Sequence, residues 1–439
     1  MTLKEKVAIE IIKNLHNRGF EAYFAGGCVR DRLRGVEPKD FDIATSAAPE
    51  AVQKIFSKTI PVGVQFGVVM VIEQEMPFEV ATFRTEGNYR DGRHPSSVQF
   101  ATLEEDARRR DFTVNGLYYD IKTQKVIDWV GGEKDLKSKI IRTIGDADQR
   151  FTEDHLRMMR AIRFACQLGF EIEEKTQTAI QKNSNFIEKV SPERIRDELT
   201  KTLTSAQPTR GIRLLDETGL LIHFLPEIEK MKGVEQPCEY HPEGDVYVHT
   251  LMLLDGLKNA PIELAMGCLL HDVAKPDTFV RASDRIRFHG HDVLGAELSE
   301  KICKRLTFSN AQTELICALV KEHLRFKDAS KMKLSTLKRF LSLDRFDLHL
   351  ELHRLDCLAS HKNLDAYQFC KQKWEELKAL PPPPLKLVTG KDLIGLGLKP
   401  GPEFSEIIRA VEDNILEGTI KNRDEALQFV KALISKEEK

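Results

Sequence analysis

The sequence has no excess charge of either sign and no long hydrophobic segment. Among its 439 residues, 66 Lys and Arg face 68 Asp and Glu, a formal net charge of −2. A globally basic RNA-binding protein is therefore excluded, and any attraction to nucleic acid must come from local patches. The longest hydrophobic run, residues 264–270, has seven residues, far short of the roughly 18 that cross a bilayer. Residues 1–20 indicate an amphipathic helix and not a signal peptide, so we expect no membrane association.

Cysteine is also sparse. The eight cysteines stand singly, and no two have the CxxC spacing of a zinc ribbon or a thioredoxin-type site. Dispersed thiols are typical of a reducing compartment, so we expect a cytoplasmic protein. A hydrophobic fraction of 41% and a charged fraction of 31% exclude wholesale disorder. The length predicts several domains, at roughly 100–200 residues each.

The pattern of secondary structure changes along the chain. Residues 1–140 mix helix and strand, with VGVQFGVVMVIE (62–73) and FEVATF (78–83) as clear strands. From residue 152 onwards, helical periodicity dominates to about residue 380. Prolines 381–384 form a stiff linker that no helix crosses, and a small helical tail follows. Ten of the 13 histidines lie between residues 223 and 361, which marks a second chemical region.

The string GGCVRDRLRGVEPKDFD (26–42) carries the first candidate site. Asp40 and Asp42 stand two apart, and alternate residues of a strand share a face. Neighbouring carboxylates repel unless a cation lies between them, and paired oxygen ligands suit Mg²⁺. Gly26 and Gly27, before a predicted helix, would let backbone amides approach a triphosphate. Glu79, in the strand FEVATF, is a third candidate carboxylate.

A second motif, EDHLRMMRAIRFA (153–165), predicts a helix with Asp154 and Arg157 on one face. Cytosine and adenine both present an amino donor beside a ring-nitrogen acceptor. A carboxylate with a guanidinium would therefore pair with these two bases and leave groups unpaired opposite uracil and guanine. Acids after an N-cap at Thr152 would equally suit the helix dipole, so this segment alone leaves both interpretations open.

These motifs resemble, in order, those of the class II polymerase-β-type nucleotidyltransferases, the tRNA CCA-adding enzymes and bacterial poly(A) polymerases. RRDFTVNGL (109–117), DWVGGEKDL (128–136) and SPERIRDEL (191–199) resemble the sugar-contacting, hinge and neck-stabilising motifs, and residues 153–165 the base-reading one. The resemblance covers residues 1 to about 225. It implies an α+β fold: a polymerase-β-type head with a mixed sheet (1–140), followed by an all-helical neck (141–225), an HD-type helical body (226–380) and a helical tail (385–439).

The resemblance also assigns roles to residues. Asp40 and Asp42, aided by Glu79, would hold Mg²⁺, and Gly26, Gly27 and Arg30 would cradle the triphosphate. The remaining nucleotide-binding residues that it implies are Arg110, Asp111 and Asn115 at the ribose, Asp154 and Arg157 at the base, and Arg160 and Arg163. The implied partners are tRNA, CTP and ATP, and the oligomeric state stays open between monomer and homodimer.

The implied reaction is template-independent addition of CCA to the 3′ end of tRNA. An enzyme that adds only A, or a poly(A) polymerase, is the alternative within the fold. Residues 86–110 predict a loop, and members of the family that add only the two cytidines lack much of it, so its presence favours A addition. The chain lacks the basic-aromatic signature of the poly(A) polymerases where it has PVGVQFGVVMVI (61–72), which disfavours that alternative.

The histidine-rich region resembles the HD phosphohydrolases, with the pattern H…HD…D at His249, His271, Asp272 and Asp356. Mixed imidazole and carboxylate ligands suit Mn, Ni, Co or Fe. The histidines at 289, 291 and 323 would suffice for a second metal ion. An HD body implies an additional phosphohydrolase activity. The alternative of another class is an HD phosphohydrolase whose head merely binds RNA.

One segment of this region, 321–345, is locally basic. It holds eight Lys and Arg against three Asp and Glu. Such a patch could neutralise tRNA phosphates, or it could be the solvated face of a helix.

Overall fold

The computed structural model describes residues 1–63, 67–86, 98–237, 239, 241–381 and 386–437. The central part of the predicted loop (87–97), most of the proline linker (382–385) and part of the predicted strand 62–73 (64–66) lie outside the described residues. The chain divides into two compact units. The first comprises Met1–Lys232, Leu257–Ala265 and Ile302–Phe308, and the second comprises Gly233–Gly256, Met266–Lys301 and Ser309–Lys439. The finer division into four domains stays a prediction.

A seven-stranded mixed sheet and a separate two-stranded ribbon form the strands of the head. They are β1 Ala22–Ala25, β2 Ile43–Thr45, β3 Thr59–Gly63, β4 Val68–Glu73, β5 Met76–Thr82, β6 Arg84–Glu86, β7 Val98–Phe100, β8 Leu117–Asp120 and β9 Lys125–Asp128. The large sheet has the order β3-β4-β5-β2-β1-β8-β9. Strands β2 and β5 run parallel, and the other neighbours are antiparallel.

Five helices accompany these strands: α1 Leu3–Asn17, α2 Gly27–Leu33, α3 Pro49–Ile55, α4 Leu103–Arg108 and α5 Gly132–Ser138. Helix α1 begins after Thr2, whose hydroxyl accepts a hydrogen bond from the N–H of Glu5, a standard N-cap. The predicted loop over 86–110 is wrong beyond residue 97, because β7 pairs with β6 and a capping box at Thr102 and Glu105 starts α4.

The rest of the first unit is mainly helical. Its elements are β10 Ile140–Ile141, α6 Ala147–Glu153, α7 Arg157–Leu168, β11 Glu171–Ile172, α8 Glu174–Asn183, α9 Pro192–Leu203, α10 Pro208–Glu217, α11 Leu221–Phe224 and α12 Pro226–Glu229. A continuous helix over 153–165 is a wrong prediction, because α6 ends at Glu153 and Asp154 is extended, with φ −136° and ψ 105°. The Asp154 carboxylate accepts from the N–H of Leu156 at 3.1 Å. Such local bonds compete with helix formation.

After residue 233 the elements are α13 Val246–Asp255, α14 Ile262–Leu270, α15 Lys275–Thr278, β12 Phe279–Arg281, β13 Ile286–Phe288, α16 His291–Arg305, α17 Asn310–Glu322, α18 Leu334–Leu341, α19 Phe346–Ala359, α20 Asp365–Lys378, α21 Gly390–Gly395, α22 Glu403–Glu417 and α23 Arg423–Glu437. The last three helices share a small apolar core that includes Leu393, Val411 and Val430. The helical tail is therefore confirmed.

Part of the basic segment 321–345 is engaged within the second unit. Arg339 pairs with Glu412 and Asp413, each at 2.9 Å, and Lys338 donates to the carbonyl of Leu416 at 2.8 Å. These contacts hold helix α22 of the tail, so they use two of the cations that were predicted to meet tRNA or solvent.

The predicted fold class is confirmed: a head with a mixed sheet is followed by a mostly helical chain. The strand pairs β10-β11 and β12-β13 depart from the predicted all-helical neck and body. Across the described residues, no helix combines the length and the hydrophobicity that crossing a membrane requires.

Candidate active site

A cavity of about 690 Å³ in the first unit is built at the edge where β2 and β5 meet. Ile43 of β2 lies opposite Val80 of β5 in parallel register, so the residues before them, Asp42 and Glu79, are neighbours. Both of these carboxylates lie on the accessible face, and Phe41, Ile43, Phe78 and Val80 are buried. The period-2 alternation of strands therefore brings together two carboxylates from segments 37 residues apart.

The Asp42 carboxyl has a raised pKa. Its partial desolvation in the cavity, the Glu79 carboxylate and, to a smaller extent, Asp40 raise the pKa of Asp42 to about 6. Asp40 faces Lys4, with 2.7 Å between its Oδ1 and the lysine Nζ, and its side chain is 81% exposed. It does not line the cavity. A raised carboxyl pKa is the expected signature of oxygen ligands that a divalent cation would stabilise.

The turn between β1 and α2 forms another wall. Gly26 has φ +68° and ψ −123°, and a Cβ built on it would lie 2.9 Å from Nη1 of Arg110. The backbone conformation therefore requires glycine, and a Cβ would displace the Arg110 guanidinium. Helix α2 starts at Gly27, and the first N–H groups of a helix have no partner inside it. The wall combines these amides with the guanidinium of Arg110.

A chain of hydrogen bonds connects four predicted site residues. Nη1 of Arg30 donates to Oδ1 of Asn115 at 2.7 Å, and Nδ2 of Asn115 donates to Oδ1 of Asp111 at 3.1 Å. The other carboxylate oxygen of Asp111 accepts from Nε of Arg160 at 2.9 Å. Burial alone would raise the pKa of Asp111, but the Arg160 guanidinium and the bond from Asn115 hold it well below its ordinary value. Asp111 is therefore an anion that positions its neighbours.

A second buried carboxylate orients Arg110. Its Nε donates to Oη of Tyr118 at 2.9 Å, and its Nη2 donates to Oδ2 of Asp106 at 3.3 Å. The hydroxyl of Tyr118 also donates to Asp106, which is 1% exposed. The sequence analysis missed Asp106 and Tyr118. Their only signal was their spacing of four and eight residues from Arg110 across a short helix and a strand.

The base-reading motif has a different geometry from the predicted one. Because α6 ends before Asp154 and α7 begins at Arg157, these two residues do not share a helix face. Nη1 of Arg157 pairs with Glu153 at 2.7 Å, and Asp154 pairs with Nη2 of Arg194 at 3.1 Å. Asp154, Arg157 and Arg194 still line the same cavity, so the two predicted side chains are brought together by the turn instead of by helical spacing.

Arg163 does not reach the cavity. Its guanidinium is buried, pairs with Glu198 and donates to Oε1 of Gln167 at 2.9 Å. It also lies 3.8 Å from the ring centroid of Phe164. The prediction that Arg163 binds the nucleotide is therefore wrong for this geometry, because three residues after Arg160 the helix has turned toward α9.

The lining also includes four charged or aromatic residues that were not predicted: Arg84, Arg109, Phe164 and Arg194. Three of them stand inside motifs that the sequence analysis quoted, at 109–117, 153–165 and 191–199. Arg84 begins β6, two residues after the end of β5, the strand of Glu79. The motifs alone could have nominated them, but only the fold shows which side of each element faces the cavity.

Comparisons with known proteins agree along the whole chain. Family models match for the poly A polymerase head domain at residues 22–142, for an RNA and SrmB-binding site of polymerase A at 169–232, and for tRNA nucleotidyltransferase domain 2 at 293–430. The CCA-adding enzyme of Ligilactobacillus salivarius is 34% identical over 96% of this chain and 95% of its own. That of Enterococcus faecalis is 35% identical over 99% and 97%. The chain belongs to the CCA-adding enzymes.

Solved structures of CCA-adding enzymes have the same fold. The crystal structure of the Bacillus stearothermophilus enzyme in complex with CTP matches with a TM-score of 0.78 and 29% identity, covering 100% of this chain and 99% of that one. The Thermotoga maritima enzyme complexed with tRNA matches with a TM-score of 0.59 at 18% identity, which supports the fold alone. The predicted family and enzyme class, a tRNA nucleotidyltransferase, are confirmed. Enzymes of this class need a divalent metal ion.

This CCA-adding enzyme has a second polar cluster, in its second unit. His249, His271 and Asp272 form one group of close ligand atoms, and Asp272, His291 and His323 form another. Oδ1 of Asp356 lies 3.1 Å from Nε2 of His249, so all four residues of the predicted HD pattern converge. His289 is exposed and belongs to neither group, so the structure does not support the prediction of His289 as a ligand.

Burial and neighbouring groups shift the pKa values of two histidines in the second cluster. Burial lowers the pKa of His249, but its contacts with Asp356 and Glu243 outweigh burial and raise it to about 9. Burial, and after it the neighbouring His271, lower the pKa of His323 to about 4. The cluster opens to a cavity of about 710 Å³, whose lining mixes cations, among them Arg285, Arg287, Arg325 and Lys327, with four carboxylates, Asp272, Asp292, Asp328 and Asp356.

Proposed function

We propose that this chain adds CCA to the 3′ end of tRNA, without a template, from CTP and ATP in the cytoplasm. One observation carries the proposal. Eleven of the predicted residues, from motifs scattered over more than 130 positions, line one cavity: Gly26, Gly27, Arg30, Asp42, Glu79, Arg110, Asp111, Asn115, Asp154, Arg157 and Arg160. The relatives named CCA-adding enzymes, one of them solved with CTP, support the choice of reaction.

Asp42 and Glu79, with Asp40 beside them, are the residues that would hold Mg²⁺. Asp42 and Glu79 fit this ion because both are oxygen ligands on the accessible face of a sheet. Desolvation of Asp42 and the neighbouring Glu79 carboxylate raise the pKa of Asp42, and a divalent cation would relieve both effects. When bound, Mg²⁺ polarises phosphate oxygens and lowers the pKa of the attacking 3′-hydroxyl. Asp40 must leave Lys4 to take part, whereas Asp42 and Glu79 already face the cavity.

The cations of the cavity match a triphosphate. Arg30 and Arg110 are permanently charged, and the amides after Gly26 add dipoles of the same sign. In the proposed reaction the 3′-oxygen of tRNA forms a bond to the α-phosphorus, and the bond from that phosphorus to pyrophosphate breaks. The hydrogen bonds of Arg30 to Asn115 and of Arg110 to Asp106 fix both guanidinium groups before the substrate arrives, which reduces reorganisation during the transfer.

The choice of base rests on Asp154 and Arg157. A carboxylate accepts from the amino group of C or A, and a guanidinium donates to the ring nitrogen. Arg194 pairs with Asp154, so it holds this carboxylate as an acceptor. Uracil and guanine would place a carbonyl against the carboxylate and an N–H against the guanidinium, which costs both hydrogen bonds.

The experiment that tests the proposal uses purified protein, Mg²⁺ and three tRNAs that end at the discriminator base, at C or at CC. Each nucleoside triphosphate is supplied alone and in combination, and the products are sized on a gel. Three additions with CTP and ATP, followed by a stop, are expected. Growth from the CC-ended tRNA only would indicate an A-adding enzyme, long tails with ATP a poly(A) polymerase, and no growth would refute the proposal.

A matched pair of variants tests the carboxylates. Glu79→Gln removes a charge from the cavity, and Glu75→Gln removes a charge from the exposed turn before the same strand, where Glu75 pairs with Lys58. We expect Glu79→Gln to slow addition strongly and Glu75→Gln to leave it as in the parent. Equal rates for the two variants would exclude Glu79 from the site.

A second activity, phosphoester hydrolysis in the second unit, is favoured by the convergence of His249, His271, Asp272 and Asp356. Imidazole and carboxylate ligands of this kind suit Mn, Fe, Co or Ni, and such an ion activates water and neutralises phosphate charge. The test measures release of phosphate from nucleoside 2′- and 3′-phosphates and opening of 2′,3′-cyclic phosphates by the full chain with Mn²⁺. Absence of hydrolysis with every substrate would refute this activity without touching CCA addition.

A further inference from the structure

Arg150 of α6 lies behind the cavity of the first unit and connects two of its walls. The residue is 8% exposed, and it is not part of the cavity lining. Its Nη2 donates to the backbone carbonyls of Arg109 and Arg110, the second at 2.6 Å, and its Nη1 donates to the carboxylate of Glu153. One buried side chain therefore holds the segment of Arg109 and Arg110 against the turn that carries the base-reading residues.

On the side of the base, Arg150 fixes the guanidinium of Arg157 in two ways. Nη1 of Arg157 donates to the backbone carbonyl of Arg150 at 3.0 Å, and also to Oε2 of Glu153 at 2.7 Å. The same Oε2 accepts the bond from Nη1 of Arg150. Arg157 is thus held by the main chain of Arg150 and by a carboxylate that the Arg150 side chain orients. A shift of the Arg157 guanidinium therefore disturbs the contacts of Arg150.

On the other side, Arg150 fixes the main chain that leads to the ribose and triphosphate residues. The carbonyls of Arg109 and Arg110 follow the C-terminus of α4, where C=O groups have no partner inside the helix and a cation is favourable. Arg109, Arg110 and the next residue, Asp111, all line the cavity. The bonds from Arg150 therefore set the position of three side chains that face the nucleotide.

We propose that Arg150 is a positioning residue that couples base selection to the placement of the triphosphate. The proposal rests on the reaction proposed above, in which Asp154 and Arg157 choose the base. Cytosine or adenine accepts a hydrogen bond from Arg157 and leaves its contacts with Arg150 intact. Uracil or guanine presents an N–H to the same guanidinium and displaces it, and the displacement reaches the carbonyls of residues 109 and 110 through Arg150. A wrong base therefore moves the triphosphate out of line for attack, which lowers the rate of transfer as well as binding.

The test is a double-mutant cycle on the purified full chain. The parent, Arg150→Met, Arg157→Ala and the double variant extend a tRNA that ends at the discriminator base with CTP or with UTP, and the ratio of the two kcat/KM values gives the discrimination. Arg150→Met should reduce it by about tenfold, mainly through kcat for CTP. In the double variant the loss should equal that of Arg157→Ala alone, because residues that act through one another are not additive. Losses that multiply would overturn the coupling.

Arg210→Met is the matched control. Arg210 also donates to two backbone carbonyls, those of Ala165 and Phe170, at 3.4 and 2.8 Å, and it does not line the cavity. This variant should keep the discrimination of the parent and leave the effect of Arg157→Ala unchanged. An equal loss of discrimination in Arg210→Met would attribute the effect of Arg150→Met to general loosening of the first unit and would overturn the proposal.

Arg150→Lys keeps the test decisive where Arg150→Met does not fold. Lysine retains the buried charge beside Glu153, but its single ammonium lacks the planar set of donors that reaches a carboxylate and two carbonyls together. We expect its discrimination to lie between those of the parent and Arg150→Met. Parental discrimination in Arg150→Lys would overturn the coupling alone, whereas a parent that does not extend the tRNA would overturn the proposed function and the coupling with it.

Discussion

The two polar sites of this protein gather similar carboxylates but surround them with different cations. In the head, Asp42 and Glu79 lie among arginines such as Arg30 and Arg110, which are charged at every physiological pH. In the second unit, Asp272 and Asp356 lie among imidazoles whose Nε2 atoms point inward. Fixed positive charge suits a polyanionic substrate that enters and leaves, and imidazole nitrogens suit a resident metal ion. The kind of nitrogen-bearing side chain therefore distinguishes a substrate cavity from a candidate metal site.

The largest effect should come from Asp42→Asn. Loss of a metal-binding carboxylate should slow CCA addition by about 10³-fold or more, the equivalent of roughly 4 kcal/mol in the barrier. The Mn²⁺ retained by the second unit should not change, because none of its ligands lies in the head. Single-turnover extension of a CC-ended tRNA measures the first effect, and metal analysis measures the second. Addition within tenfold of the parent would remove Asp42 from the site.

Chelation should separate the two sites next. Prolonged treatment with a strong chelator, followed by excess Mg²⁺, should restore CCA addition because oxygen ligands accept this ion. Phosphoester hydrolysis should stay reduced by about 10²-fold until Mn²⁺ or a similar ion returns, because imidazole-rich sites favour those metals. Both activities are followed on one sample. Full recovery of hydrolysis with Mg²⁺ alone would contradict the contrast between the two sites.

Base selection should weaken in two graded steps. Arg157→Ala removes a donor to the ring nitrogen and should reduce discrimination against UTP by about 10²-fold. Arg194→Met removes the partner that holds Asp154, so it acts through position alone and should cost about tenfold. Competition between CTP and UTP on a tRNA that ends at the discriminator base gives the ratio of kcat/KM values. Unchanged discrimination in Arg157→Ala would exclude that residue from base reading.

The smallest effect concerns stability. Asp111→Asn weakens a partly buried pair with Arg160, whose side chain is 33% exposed, so we expect a loss of about 2 kcal/mol, or roughly 4–8 °C in the Tm of the first unit. The pKa of Asp111 is depressed in the folded state, so its contribution is complete above the unfolded carboxyl pKa of about 4 and shrinks below it. Thermal unfolding at several pH values measures the difference between parent and variant. A difference that grows as the pH falls below 4 would contradict this assignment.

Motifs predicted which segments meet, and local backbone chemistry decided how they meet. The spacing of Asp40 and Asp42 and the alternation around Glu79 predicted three neighbouring carboxylates, and two of them, Asp42 and Glu79, line the cavity, because strand periodicity is visible in sequence. The break at Asp154 was not predicted, because a short side-chain bond to Leu156 outweighs the helical pattern that surrounds it. Arg163 was expected at the nucleotide from the resemblance alone, which does not show that its side of the helix faces Glu198. Arg194 could be assigned to the cavity only from the fold, in which it pairs with Asp154.

The series of hydrogen bonds from Arg30 through Asn115 and Asp111 to Arg160 limits which substitutions can occur among homologues and in engineered variants. The four residues come from three motifs, and each forms a hydrogen bond with at least one of the others. A substitution at one position therefore leaves a donor or an acceptor of another residue without its hydrogen bond. We expect these four positions to change together among homologues. A chimaera of two family members joined between residues 30 and 111 takes position 30 from one parent and positions 111, 115 and 160 from the other, and should work only where the parents agree at all four.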